Sequence, residues 1–278
     1  MSDSPSSEPE TGVTAEFSAV DRPGRHGLPA APADDLRGQL PGLEPDRQVT
    51  DWGRSQRIER LVDRTLYGFL YHYWFRVQQE GIENVPGDGG ALLLANRAGA
   101  LPADAAMVAK VVRDEHPRGR PVHLATERSF QRVPGLGMLV TKVGGIHAHP
   151  ANLHRLLFDE RELVLAFPEG ARGARKPLKE RYRLRAFDQT LADVARRARV
   201  PIVPVAVLGS EESVPVISRI GPLRRLPITS GVPLPAKFRI RFLEPVPADQ
   251  PPSAAEIQAL IQENLLEMVA ERRSVWLG

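Results

Sequence analysis

The chain has 278 residues, 42% of them hydrophobic and 26% charged, with 26 prolines and no cysteine. That length admits one substantial α/β domain with an additional arm, and the lack of cysteine excludes disulfides, thiolate zinc sites and a cysteine nucleophile. The formal net charge of +3 is small, so the placement of basic residues says more than their total.

Residues 1–48 are rich in Ser, Pro, Gly, Asp and Glu and show no hydrophobic periodicity. They read as a disordered tail. The first residues are acidic and lack an apolar run, unlike a signal peptide. No stretch reaches the roughly 18 apolar residues of a membrane span, so a soluble or peripherally attached, cytoplasmic protein is expected. From Asp51, a candidate N-cap, the residues Ile58, Leu61, Val62, Leu66, Phe69, Leu70 and Tyr73 recur at helical spacing, opposite Arg54, Arg57, Arg60, Asp63 and Arg64. This predicts an amphipathic helix within 49–80. The plainer and favoured assignment packs the stripe on a core. The sharper one is an interfacial helix, with Tyr71, Tyr73, Trp74 and Phe75 at headgroup level and arginines toward anionic lipid.

Beyond this arm, short apolar runs predict strands over 75–79, 91–95, 122–126, 145–147, 163–167, 202–207 and 238–242. Helices are expected over 103–112, 136–143, 152–158, 182–198 and 257–269. Strands alternating with helices imply an α/β layered domain over 81–278, with a largely parallel central sheet flanked by helices.

Two loops that follow strands hold the residues suited to chemistry. The first runs Asn96-Arg97-Ala98-Gly99-Ala100-Leu101-Pro102-Ala103-Asp104, and the second Phe167-Pro168-Glu169-Gly170-Ala171-Arg172-Gly173. Ligands of open α/β sheets collect outside the carboxyl ends of the strands, so both loops are expected to face one site. The planar fork of Arg172 suits phosphate oxygens, and Gly170 and Gly173 permit close backbone approach. Glu169 is expected either to contact a ligand or to brace the loop through an ion pair with Arg97 or Arg172.

Phe167-Pro168-Glu169-Gly170 with Arg172 resembles the Phe-Pro-Glu-Gly-x-Arg block of the glycerophosphate and lysophospholipid acyltransferases. The stretch Leu178-Lys179-Glu180-Arg181-Tyr182-Arg183-Leu184 resembles an actinobacterial-type branch of that family. Pro201-Ile202-Val203-Pro204 is similar to its later Pro-Ile-Val-Pro block, and Pro233-Leu234-Pro235, Phe238-Arg239-Ile240 and Arg272-Arg273-Ser274-Val275-Trp276 also resemble that branch. The likeness runs from about residue 70 to the end of the chain. It implies a glycerol-3-phosphate acyltransferase-like fold. It also implies transfer of a fatty acyl group from acyl-CoA or acyl-carrier protein to a lysophospholipid or glycerophosphate-type acceptor in phospholipid biosynthesis. The setting would be the inner face of the cell membrane, with no resident cofactor or metal. By the same resemblance Asn96, Gly99, Glu169, Gly170 and Arg172 bind substrate, Glu169 at the glycerol hydroxyl and Arg172 at the phosphate.

The first loop fits the branch's Asn-His-x-Gly-x-Leu-Pro-x-Asp form at Asn96, Gly99, Leu101, Pro102 and Asp104, but Arg97 stands where the resemblance places the catalytic histidine. An imidazole, with an ordinary pKa of about 6.5, can accept the acceptor hydroxyl's proton at neutral pH. A guanidinium, which stays protonated far above neutral pH, cannot. Arg97 and Asp104 are the catalytic positions by resemblance and are expected to form an ion pair. A second reading stays open, a catalytically impaired or non-catalytic relative that binds lipid or acyl donor. His147 and His149 are expected to be loop histidines; their spacing permits a metal, but no carboxylate pair accompanies them.

Downstream, Lys176, Lys179 and Arg181 belong to a basic run that extends to Arg185 with Glu180 as its only acid. They are candidate contacts for lipid headgroups or the phosphates of coenzyme A. Nucleic acid is not expected, since the run holds one aromatic, Tyr182, and no recognition motif accompanies it. Gly209-Ser210-Glu211 does not form the nucleophile elbow of an α/β hydrolase.

Overall fold

The computed structural model describes residues 49–97, 103–127, 135–174, 176–177, 180–213, 233–249 and 252–272. The expected tail, Gly99 and Lys179 lie outside the described residues. Seven strands form one sheet: β1 Gln78–Glu80, β2 Ala91–Ala95, β3 Val122–Thr126, β4 Gly145–His147, β5 Leu163–Ala166, β6 Ile202–Leu208 and β7 Arg239–Phe242. Their order is β1-β7-β6-β2-β5-β3-β4. β2 lies parallel to β5 and β6, and β3 parallel to β4 and β5. β7 runs antiparallel to β6 and parallel to β1. The expected, largely parallel sheet is therefore present. The central strands β2, β5 and β6 are buried at every position, as continuous apolar runs covered on both faces must be.

The helices are α1 Gln56–Val62, α2 Ala103–Glu115, α3 Leu136–Lys142, α4 Pro150–His154, α5 Gly170–Gly173, α6 Gln189–Ala198, α7 Ser210–Ser213 and α8 Ala254–Glu271. Strand alternation divides the core between two layers. Ala91, Leu93 and Ala95 share one cluster with Met107, Val108 and Val111 of α2 and with Phe75 and Phe238. Leu92 and Leu94 share the other with Ala192 and Ala195 of α6 and Ile257, Ile261 and Leu265 of α8. Each fully buried leucine stabilises the fold by about 1.5–3 kcal/mol. α8 starts three residues earlier than the apolar pattern implies, because Ser253 and Glu256 form a reciprocal capping box at its N-terminus.

The arm departs from expectation. Asp51 sits in a turn closed by Gly53 N donating to Thr50 O (2.8 Å), with Gly53 at φ +81°. The helix therefore begins at Gln56, after Ser55. Two π-helical turns follow, Asp63–Tyr67 and Leu70–Trp74, the second closed by Phe75 N donating to Leu70 O (2.7 Å). Bonds from i+5 to i widen the turn and rotate later residues off the 3.6-residue register. Tyr67, Leu70, Tyr71, Trp74 and Phe75 consequently meet the core. Leu61, Leu66, Phe69 and Tyr73 stay 61%, 51%, 48% and 74% exposed. The favoured assignment of one stripe packed on the core fails for these four. Arm and sheet nevertheless belong to one compact unit, Gln48–Gly278. Among the described residues no helix is long and apolar enough to cross a membrane.

Candidate active site

β2 and β5 are neighbours, with Leu94 beside Ala166. The loops that follow them leave the same edge of the sheet side by side, as the sequence predicts. Asn96 is the first residue past β2. Its Nδ2 donates to Val207 O (2.9 Å) and its Oδ1 accepts from Val207 N (2.7 Å). A side-chain amide thus continues the β2–β6 ladder one step past the strand and fixes where the first loop turns away.

The next residue reaches the second loop. Arg97 N donates to Glu169 Oε1 at 2.9 Å. Glu169 is 1% exposed, and its other oxygen accepts from Arg185 N (2.8 Å) and lies 3.3 Å from Lys176 Nζ. Lys176 Nζ is in turn 2.7 Å from Oε1 of Glu211, in the short α7 just past β6. Glu211 Oε2 accepts from Tyr182 N (2.6 Å). A carboxylate, an ammonium and a second carboxylate therefore tie together the ends of three adjacent strands, β5, β2 and β6. Burial pushes the Glu211 carboxyl above its ordinary range; the Lys176 cation opposes that rise, and the Glu169 charge adds to it. Packing at this junction is close. A Cβ on Gly173 would stand 2.7 Å from Glu169 Cβ and 2.8 Å from Arg97 Cβ.

Residues 182–187, expected as the start of a helix, form a fastened loop instead. The amides of Tyr182, Leu184, Arg185 and Phe187 donate to Glu211, Gln262, Glu169 and Gln258. Amides spent on side chains of other elements are not free for helical bonds. The helix therefore starts at Gln189, after Asp188 caps it by accepting from Thr190 N (2.9 Å).

A cleft of about 280 Å³ opens at the ends of β3 and β5, and Arg97, Glu127, Phe167, Glu169, Arg172 and Asp188 are among its walls. The Arg97 guanidinium stands over the Phe167 ring, 5.0 Å from its centroid. Arg172 is exposed, with Nη2 donating to Ala186 O (3.0 Å). Arg97, Glu169, Gly170 and Arg172 thus come together, with Asn96 beneath them. Asp104 is fully buried in the first turn of α2, where Oδ1 accepts from Ala105 N (2.8 Å), and it is not part of the cleft wall.

Glu169 does brace the loop, and the Arg97 amide and the Lys176 ammonium hold it there. Lys176 itself, expected to reach toward headgroups, points inward at 6% exposure, because two buried carboxylates need its charge. Arg181 does face solvent, with its guanidinium 5.8 Å from the Tyr182 ring centroid.

His149 caps α4, its Nδ1 accepting from Ala151 N (3.3 Å). Among the described cleft residues there is no histidine. Among the described residues no group of three or more His, Cys, Asp or Glu side chains could hold a metal ion. Two participants were not read from the sequence. Glu211 carries no local signal. Glu127 does carry one, since it directly follows β3 at the edge where ligands collect.

Comparison with known proteins bears on the family and the fold. Residues 76–208 match the family model described as Acyltransferase. An uncharacterized protein of Mycobacterium tuberculosis strain H37Rv is 37% identical over 90% of this chain and 77% of its own length. A chicken protein named DGAT1/2-independent enzyme synthesizing storage lipids is 26% identical over 73% of this chain and 61% of its own. The crystal structure of the 1-acyl-sn-glycerophosphate (LPA) acyltransferase PlsC from Thermotoga maritima superposes with a TM-score of 0.54. It covers 78% of this chain and 80% of that one at 19% identity, a likeness of fold.

Proposed function

The chain belongs to the glycerolipid acyltransferase family, and from that premise we propose that it moves a fatty acyl group from a thioester donor, acyl-CoA or acyl-carrier protein, to the hydroxyl of a lysophospholipid or glycerophosphate-type acceptor. The observation that carries this reading is the bond from Arg97 N to Glu169 Oε1, 2.9 Å. It draws the two family-like loops into one cleft. Within that cleft Arg97 and Arg172 are two permanent cations on adjacent loops. They suit the phosphate of the acceptor and the oxyanion that forms when a thioester carbonyl is attacked. The exposed Leu61, Leu66, Phe69 and Tyr73 support work at a lipid surface.

A second reading is favoured by one observation, the guanidinium at position 97, which cannot take a proton. On that reading the chain binds lipid or acyl donor without turnover. Thiol release from acyl-CoA, followed with a thiol-reactive dye, separates the two. The chain has no cysteine, so the protein contributes no background. Acceptor-dependent release by the wild type supports the enzyme. Release gained only by Arg97→His supports the binding relative, and release by neither protein sinks acyl transfer. With the acceptor presented in anionic vesicles and then in micelles, Phe69→Glu is expected to lower only the vesicle rate. Equal rates in both would remove the lipid-surface part of the reading.

A further inference from the structure

We propose that Glu127 is the general base of this site, the group that takes the acceptor hydroxyl's proton. The inference rests on the acyl-transfer reading above. Among the described residues three carboxylates line the cleft: Glu127, Glu169 and Asp188. Both oxygens of Glu169 are occupied, by Arg97 N and by Arg185 N with Lys176. Asp188 is held as a helix cap by Thr190 N. Glu127, by contrast, takes part in no hydrogen bond or ion pair among the described residues.

Its position follows from the sheet. Glu127 comes directly after Thr126, the last residue of β3, and β3 lies parallel to β5. It therefore leaves the same edge as the loop that carries Glu169. Its Oε1 lies 3.5 Å from where a Gly170 Cβ would stand, over a residue at φ +55° that favours glycine. The half-buried carboxylate consequently borders the space that Arg97 and Arg172 also border.

The chemistry balances without another reactant. The acceptor O–H gives its proton to the Glu127 carboxylate as its oxygen attacks the thioester carbonyl carbon. A C–O bond forms, and the oxyanion of the tetrahedral intermediate is stabilised by the arginine cations. The intermediate collapses, the C–S bond breaks, and the leaving thiolate takes the proton back from Glu127. An ester and a free thiol result. Carboxylates are weaker bases than imidazole, so a slower enzyme than one with histidine at position 97 is expected.

Thiol release by the whole 278-residue chain tests this. E127Q is expected to lower kcat by at least about 100-fold, the usual worth of a general base, with the acceptor KM held within about threefold. The side chain has no described partner to lose, so its thermal midpoint should match wild type. E127A should regain turnover when formate is added, which a purely structural role would not produce. Wild-type turnover that E127Q leaves intact overturns this inference alone. So does an E127A protein that formate leaves inactive. A wild type without acceptor-dependent release overturns the acyl-transfer reading itself and this inference with it.

Discussion

Replacing Lys176 with methionine leaves two buried carboxylates without the cation between them. At 2.7 Å from Glu211 and 3.3 Å from Glu169, each attraction is about 5–6 kcal/mol gross at an effective dielectric of about 20. Most of that is offset by the desolvation of the three groups. Removing one partner of a buried pair destabilises by about 3–5 kcal/mol net. Glu211 absorbs part of the loss, because burial already favours its protonated form. The low end of the range, ~3 kcal/mol, is therefore expected, and a thermal midpoint lower by roughly 10 °C. Urea unfolding at pH 7 measures it. Loss of the cation pushes Glu211 further toward the neutral acid. A group that binds its proton more tightly in the fold stabilises the fold as pH falls, so the K176M deficit should shrink toward pH 5. E211Q removes the second charge, and K176M should then cost at least about 1 kcal/mol less in that background. A K176M midpoint within about 0.5 kcal/mol of wild type, or the same deficit with and without Glu211, would refute the linked role of these three residues.

Two further outcomes follow from the same structure. Gly173→Ala places a methyl group 2.7 Å from Glu169 Cβ and 2.8 Å from Arg97 Cβ. Overpacking of this kind costs about 1–3 kcal/mol, and because the strain separates the two loops, thiol release should fall further than the thermal midpoint suggests; unchanged turnover would show that the junction tolerates opening. His123 is buried in β3, where burial first and then the Arg54 charge lower its pKa from 6.5 to about 4. Between those values the unfolded chain binds the proton first, so stability is full above pH 6.5 and is lost as pH falls toward 4, by about 3 kcal/mol; urea midpoints of His123→Gln that fall as steeply as wild type over this window would contradict that assignment.

Much of the fold could be read directly from the chain. β2, β3 and β4 occupy the residues their apolar runs mark, and β2, β5 and β6 are buried as continuous apolar strands should be. The two loops of the site were also legible, since each follows such a strand. The departures have physical causes. π-helical turns carry the residues after Val62 off the 3.6-residue register and leave Leu66, Phe69 and Tyr73 facing away from the core, and the apolar spacing alone does not reveal those turns. Residues 182–187 have helix-compatible side chains, but Glu169, Glu211, Gln258 and Gln262 claim their amides.

Hydrophobic alternation, caps and turn residues act between neighbours in the chain, and so they specify strands, helices and the edge where a ligand gathers. Partner choice among charges does not work at that range. Lys176 looks like one more surface cation until folding brings Glu211, far along the chain, to 2.7 Å. Glu127 is marked in the chain only by following a strand, and seating β3 beside β5 is what brings it to the cleft wall. The energy of a buried charge depends on what surrounds it in three dimensions, which is why the tertiary fold decides which acids support this site and which one is left to face its cleft.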